Sequence, residues 1–133
     1  MNEIGLQRQG GQDASRRTVI LLVDDDDTVR ETSADMLEGL GYHVVQASSG
    51  IEALDVLNHH DDVDVMVTDI RMPGMSGLEL SDVASNRFDR LKIILISGYF
   101  QPQTLTRRFL QKPFRTSELD EAIRAELYPL GHA

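Results

Sequence analysis

The chain contains no cysteine among its 133 residues. Disulfide bridges, thiol redox chemistry and zinc sites built on thiolates are therefore excluded. The chain also lacks an apolar stretch near the roughly 20 residues that a helix needs to cross a bilayer. Its N-terminus has no apolar segment of the kind found in signal peptides. Together with the length, these absences predict a cytoplasmic protein with one folded domain.

Positive charge is scarce, because 13 lysines and arginines face 22 aspartates and glutamates, for a net charge of −9. A chain this acidic is not expected to bind nucleic acid or an anionic membrane surface without specific contacts. Cations and basic partner surfaces are better candidates. No glycine-rich phosphate loop precedes a helix, so nucleotide binding of that kind is not expected either.

Short apolar segments alternate with segments of helical periodicity, which predicts a parallel sheet covered on both faces. The expected fold is a flavodoxin-like, doubly wound α/β domain with strand order 2-1-3-4-5 over residues 18–128. The fourth helix should be short or missing, since only 103–108 could form it. Residues 1–17 and 129–133 are expected to be tails. The five expected strands are 18–23, 42–47, 63–69, 91–96 and 109–111.

Polar side chains stand where several predicted strands end. Asp24 and Asp25 follow the first strand, and Asp69 ends the third. These two strands are neighbours at the topological switch point, where ligands of such sheets bind. Three carboxylates that close together repel one another unless a cation neutralises them. Their oxygens suit a hard divalent ion, Mg²⁺ or Mn²⁺ in its place.

The fourth and fifth strands end with a hydroxyl group and a cation, Ser97 and Lys112. Around a metal bound by carboxylates, this pair suits the oxygens of a phosphoryl group. Asp69 is then the natural nucleophile and would form an aspartyl phosphate. Each residue alone also has an ordinary explanation as a turn former, a helix cap or a surface lysine. Their convergence on one sheet edge favours the chemical interpretation.

The segments VILLVDDDD, VMVTDIRMPGMSGLEL, IILISGY and LQKPF occur in this order along the chain. With them, the sequence resembles the receiver domains of bacterial two-component response regulators, the chemotaxis-regulator-like family, over residues 18–127. The resemblance implies that Asp69 is the phosphoacceptor. It implies that Asp25 binds the metal directly, that Asp24 holds a metal-bound water, and that the backbone carbonyl of Arg71 completes the metal shell.

The resemblance also implies how phosphorylation is sensed. Ser97 would contact the phosphoryl group and move on activation, Lys112 would pair with that group, and Phe109 would be the aromatic switch residue. The bond between Lys112 and Pro113 would be cis. Arg71 and Tyr99 flank the expected site, where they could control access of water or be ordinary loop side chains.

One departure from the family pattern concerns how the signal is passed on. From Ser97 to Lys112 there are 15 positions, and family members usually have roughly seven more, about two helical turns. The missing residues fall on the fourth helix and the loop after it. The surface that usually reports phosphorylation to partners should therefore differ here from the family pattern. The expected switch role of Phe109 is affected by the same difference.

The expected function is that of a phosphoacceptor in a two-component phosphorelay, acting as a stand-alone response regulator. A histidine kinase or a histidine phosphotransfer protein would be the phosphodonor, and the only catalysis would be self-phosphorylation and self-dephosphorylation. Two alternatives are a receiver segment of a hybrid histidine kinase and a docking domain that is never phosphorylated. A phosphatase with an aspartate nucleophile is disfavoured, because Arg71 occupies the position where such enzymes carry a general acid.

Overall fold

The computed structural model describes residues 16–99 and 106–129. Most of the expected N-terminal tail and residues 130–133 lie outside this part. The elements alternate along the chain as the sequence predicts, and their bounds are β1 (Val19–Val23), α1 (Asp27–Gly39), β2 (His43–Ala47), α2 (Gly50–His59), β3 (Val65–Asp69), α3 (Gly77–Arg87), β4 (Lys92–Ser97), β5 (Arg108–Gln111) and α4 (Thr116–Leu127). In the described ranges, no helix is both long and apolar enough to cross a membrane.

The five strands form one parallel sheet in the order β2-β1-β3-β4-β5, which confirms the predicted topology. Helices α2 and α3 cover one face and α1 and α4 cover the other. All five residues of β1 are buried, since a central strand contacts a helical layer on each side. Alternate side chains therefore enter opposite core layers, as Leu21 and Leu22 do.

The helices on the carboxyl side of the sheet begin with local caps. Asp26 caps α1 by accepting from the backbone N–H of Val29 at 3.0 Å. Ser76 and Glu79 form a reciprocal capping box at the start of α3, which satisfies two backbone donors that the helix itself cannot. These caps hold the helix starts against the strand ends, where the candidate site lies.

The connection between β4 and β5 is short, because it comprises only residues 98–107. Its described residues contain no helix, in agreement with the expected short or missing fourth helix, of which residues 103–105 lie outside the described ranges. Arg108, the last residue that could have belonged to that helix, opens β5, where it pairs with Ile94. The preceding Arg107 reaches α3, with its Nη2 atom 3.0 Å from the hydroxyl of Ser85.

Candidate functional site

The acidic pocket consists of Asp24, Asp25 and Asp69 at the carboxyl edge of the sheet. The register of β1 and β3 pairs Val23 with Thr68, so Asp24, which follows β1, and Asp69, which ends β3, are neighbours. One carboxylate oxygen from each acid lies within 4.8 Å of the others. Asp24 is buried, with a side chain only 2% exposed, whereas Asp25 is open to solvent. The structure thus brings together the three acids that the topology places at this edge.

Lys112 bridges two of these acids from the end of β5. Its Nζ atom lies 3.1 Å from Oδ2 of Asp24 and 3.3 Å from Oδ2 of Asp69. The backbone N–H of Lys112 donates to the carbonyl of Ser97 at 2.8 Å, so the lysine extends the β4–β5 pairing. The following bond to Pro113 is cis. This placement explains how a residue far along the chain reaches both carboxylates.

The charges of the pocket do not cancel, since three carboxylates surround one ammonium group. Burial raises the pKa of Asp69, the charge of Lys112 opposes that shift, and the charge of Asp24 adds to it. For Lys112, burial alone would lower the pKa, but the hydrogen bonds and charges of Asp24 and Asp69 outweigh burial and raise it. The lysine therefore stays protonated at neutral pH, and the donor set, made of oxygens with excess negative charge, fits Mg²⁺.

Ser97 lies at the end of β4 with no solvent exposure. Its hydroxyl oxygen accepts a hydrogen bond from the backbone N–H of Tyr99 at 3.0 Å. A hydroxyl group can accept and donate at once, so this contact leaves its proton available. The sheet places Ser97 beside β3, because Asp69 pairs with Ile96.

Arg71 contributes through both its backbone and its side chain. Its backbone makes a hydrogen bond that lowers the pKa of Asp69 and so opposes the effect of burial. Its guanidinium lies over the ring of Tyr99, with Cζ 4.3 Å from the ring centroid. The sequence places these two residues beside the site, but it does not show that they contact each other.

Gly77 is part of the site through its backbone, a role that the sequence patterns do not predict. As the first residue of α3, it donates its N–H to the carbonyl of Ile70 at 2.8 Å. A Cβ atom here would lie 2.9 Å from the carbonyl carbon of Asp69 and closer still to its oxygen. The Ser-x-x-Glu pattern of Ser76 and Glu79 was the available signal for this helix start.

Phe109, the expected switch residue, lies in β5 and pairs with Leu95. It is partly buried and packs against the core layer that contains α2 and α3. Two positions later, Gln111 pairs with Ser97, so Phe109 and Ser97 belong to adjacent strands. The switch role of both residues stays a prediction.

The sequence matches the response regulator receiver domain family over residues 20–124. This chain belongs to that family. Receiver domains act in two-component signalling, bind Mg²⁺ at an acidic pocket and are phosphorylated by histidine kinases or phosphotransfer proteins. The acidic pocket described above is a cluster that could bind this ion.

Relatives of different lengths share this receiver domain. The chain is 35% identical to the chemotaxis protein CheY1 of Helicobacter pylori, over 81% of this chain and 95% of that protein. It is 33% identical to the sensor kinase CckA of Brucella abortus, over 86% of this chain but only 13% of the kinase. The structure resembles the response regulator TrrA of Thermotoga maritima in complex with Mg²⁺-BeF, with a TM-score of 0.75 and 31% identity over 80% of this chain and 96% of that one.

Proposed function

We propose that this receiver domain, residues 18–128, accepts a phosphoryl group on Asp69 and transmits a signal through protein contacts. The observation that carries the proposal is the position of Lys112, which lies 3.1 Å from Asp24 and 3.3 Å from Asp69. A cation held between two carboxylates can stabilise charge on an incoming phosphoryl group. The proposed catalysis is limited to phosphorylation and dephosphorylation of the domain itself.

The acidic pocket would hold Mg²⁺, or Mn²⁺ in its place, through Asp24, Asp25 and Asp69 with the backbone carbonyl of Arg71. Asp25 would contact the ion directly, and Asp24 would hold a water molecule bound to the ion. When bound, the ion neutralises charge on phosphoryl oxygens. The excess of acids over cations in the pocket supports this assignment, because it leaves negative charge for a divalent ion to balance.

Asp69 would act as the nucleophile. A carboxylate oxygen forms a bond to phosphorus while the bond to the donor's histidine nitrogen breaks, and that nitrogen keeps the electron pair. Lys112 supplies positive charge to the phosphoryl oxygens, and the hydroxyl of Ser97 donates a hydrogen bond to one of them. Phe109 would then respond to the movement of Ser97.

The phosphodonor would be a histidine kinase or a histidine phosphotransfer protein. An apolar groove of about 430 Å³ lies next to Lys112, between α1 and the segment after β5. Val29, Met36 and Phe114 line it, and a partner helix seated there would bring a phosphohistidine to the edge of the acidic pocket.

We further propose a stand-alone regulator in the cytoplasm, which the nearly full-length match to CheY1 supports. A receiver segment of a hybrid kinase is the alternative, supported by the match to CckA.

The test is incubation with acetyl phosphate and Mg²⁺, followed by intact mass measurement. The wild-type protein should gain the mass of one phosphoryl group, and Asp69→Ala should gain none. Asp55→Ala is the matched control, because Asp55 is an exposed aspartate of α2 whose carboxylate lies 3.5 Å from His59. It should be phosphorylated like the wild type. A wild-type protein without any mass gain would contradict the proposal and favour a docking domain that is never phosphorylated.

A further inference from the structure

The side chain of Arg30 joins three segments beside the acidic pocket. Arg30 lies on α1, and its side chain is only 13% exposed. Its Nη1 atom donates to the backbone carbonyl of Asp24 at 2.7 Å. Its Nε atom donates to Oε1 of Gln46 in β2 at 3.0 Å, and its Nη2 atom donates to Oδ1 of Asp27 at 2.8 Å. Each nitrogen of the guanidinium group therefore makes a hydrogen bond.

The contact with Asp24 fixes the peptide group that joins two of the acids. The carbonyl of Asp24 belongs to the peptide bond between Asp24 and Asp25, and the atoms of a peptide group lie in one plane. On the other side of this residue, the N–H of Asp24 donates to the carbonyl of Ala47 at 3.1 Å. The backbone is thus held on both sides of the Asp24 Cα atom. The bond from Arg30 therefore sets the direction in which the chain continues to Asp25.

The two acids depend on this bond to different degrees. The carboxylate of Asp24 has further partners, because its Oδ1 accepts from the N–H of Asp26 at 3.0 Å and its Oδ2 lies 3.1 Å from Nζ of Lys112. Asp25 is exposed, so packing does not orient its side chain. The position of the Asp25 carboxylate therefore depends on its backbone, which begins at the peptide group that Arg30 holds.

We propose that Arg30 is a positioning residue for the metal site, which acts by holding the peptide group between Asp24 and Asp25. The inference deepens the proposed function and rests on binding of Mg²⁺ by the acidic pocket. Removal of groups that orient metal ligands typically lowers metal affinity by about 10- to 100-fold. Arg30 holds the backbone rather than a ligand atom, so we expect a loss at the lower end of this range, about tenfold.

The charge of Arg30 by itself predicts the opposite effect. A positive charge beside the acidic pocket repels a divalent cation, so its removal alone would tighten the binding of Mg²⁺. Arg30→Gln removes both the charge and the guanidinium fork, and the sign of its effect shows which of them dominates. Arg30→Lys keeps the charge, but an ammonium group cannot reproduce the fixed donor directions of a planar guanidinium. Lysine should therefore recover only part of the affinity.

The first measurement is the affinity for Mg²⁺, obtained by isothermal titration calorimetry of the metal-free protein. Arg30→Gln should bind Mg²⁺ about tenfold more weakly than the wild type, and Arg30→Lys should lie between the two. Arg108→Gln is the matched control, because Arg108 also donates from its Nε atom to a side-chain oxygen, that of Glu126 at 2.7 Å. Arg108 opens β5, whereas Lys112 follows the other end of that strand, so this variant should bind Mg²⁺ like the wild type.

The second measurement needs neither metal nor phosphate. Amide hydrogen exchange of the metal-free protein, resolved by residue with NMR, reports whether the loop after β1 is held in place. In Arg30→Gln, the amide of Asp26, which donates to Asp24, should exchange faster than in the wild type. The amides of the buried strand β1 should keep their wild-type rates. This combination separates a positioning role from a general loosening of the fold.

Three results would overturn the inference: an affinity of Arg30→Gln for Mg²⁺ equal to or above that of the wild type, full recovery of affinity in Arg30→Lys, or faster exchange that extends through β1. Failure of the positioning role can be told apart from failure of the proposed function. If the wild-type protein binds no Mg²⁺, the proposed metal site fails and this inference fails with it. If the wild type binds Mg²⁺ and Arg30→Gln binds it equally well, only the positioning role fails.

Discussion

Substitution of Gly77 by alanine tests how closely α3 must approach Asp69, the proposed phosphoacceptor. The new Cβ would lie 2.9 Å from both the carbonyl carbon of Asp69 and Cα of Ile70, and closer still to the carbonyl oxygen of Asp69. Optimal separations between carbon atoms are about 3.5–4.0 Å. The atoms in the way belong to the backbone, so no rotamer change can relieve the overlap. The start of α3 must therefore move away from the end of β3.

This movement has an energetic cost that can be worked out from the contacts. Overpacking of this kind costs about 1–3 kcal/mol. The hydrogen bond from Gly77 N–H to the Ile70 carbonyl, 2.8 Å long, would be strained or lost, for about 1 kcal/mol more. We expect Gly77→Ala to lower the free energy of unfolding by about 2–4 kcal/mol. Phosphorylation should also slow, because the backbone of Asp69 is displaced.

Gly39→Ala is the matched control. Gly39 ends α1, and a Cβ added there meets nothing within 4 Å. That variant should be neutral or more stable by up to about 1 kcal/mol, since alanine favours helix. Urea denaturation followed by circular dichroism gives both free energies, and intact mass gives the phosphorylation rates. A Gly77→Ala protein as stable as the wild type, or an equal loss in Gly39→Ala, would refute the close-packing argument.

Three further predictions concern charged and hydroxyl groups. Mg²⁺ at a hundredfold excess over its dissociation constant should stabilise the folded wild type by about 2.7 kcal/mol and so raise its melting temperature. Asp25→Asn should abolish this rise in thermal melts. Lys112→Met should destabilise the metal-free protein by about 3–5 kcal/mol in urea denaturation, because it leaves the buried Asp24 without its cation. Burial and the hydrogen bond to Asp120 raise the pKa of Tyr42 from 10.0 to about 12. The stability that this tyrosine contributes should be complete below pH 10 and lost as the pH rises towards 12, so the difference between wild type and Tyr42→Phe should shrink over that range in urea titrations. A difference that stayed constant to pH 12 would contradict the assignment.

Much of the fold follows from local patterns. The continuous apolar run of β1 indicates a strand buried on both faces, and the structure buries all five of its residues. Element bounds shift by one or two residues, as at β4, which is Lys92–Ser97 rather than 91–96, and at β3, which begins at Val65 rather than at 63. Strand ends depend on pairing with the neighbouring strand, so a pattern within one segment cannot define them. The expected short or missing fourth helix is confirmed, but only pairing with Ile94 shows that Arg108 belongs to β5.

The acidic pocket could be predicted as a set of residues but not as a set of contacts. The order of strands places the ends of β1, β3, β4 and β5 at one edge, and alternation and handedness narrow the possible orders to a few, of which the flavodoxin-like order was predicted. By itself the sequence therefore determined the fold, the edge at which the acids meet and the residues that stand there. Tertiary packing decided that Lys112 contacts Asp24 as well as Asp69, that Gly77 lies close against the backbone of Asp69 and that Arg71 lies over Tyr99. Those contacts depend on distances between segments far apart in the chain, which no local pattern encodes.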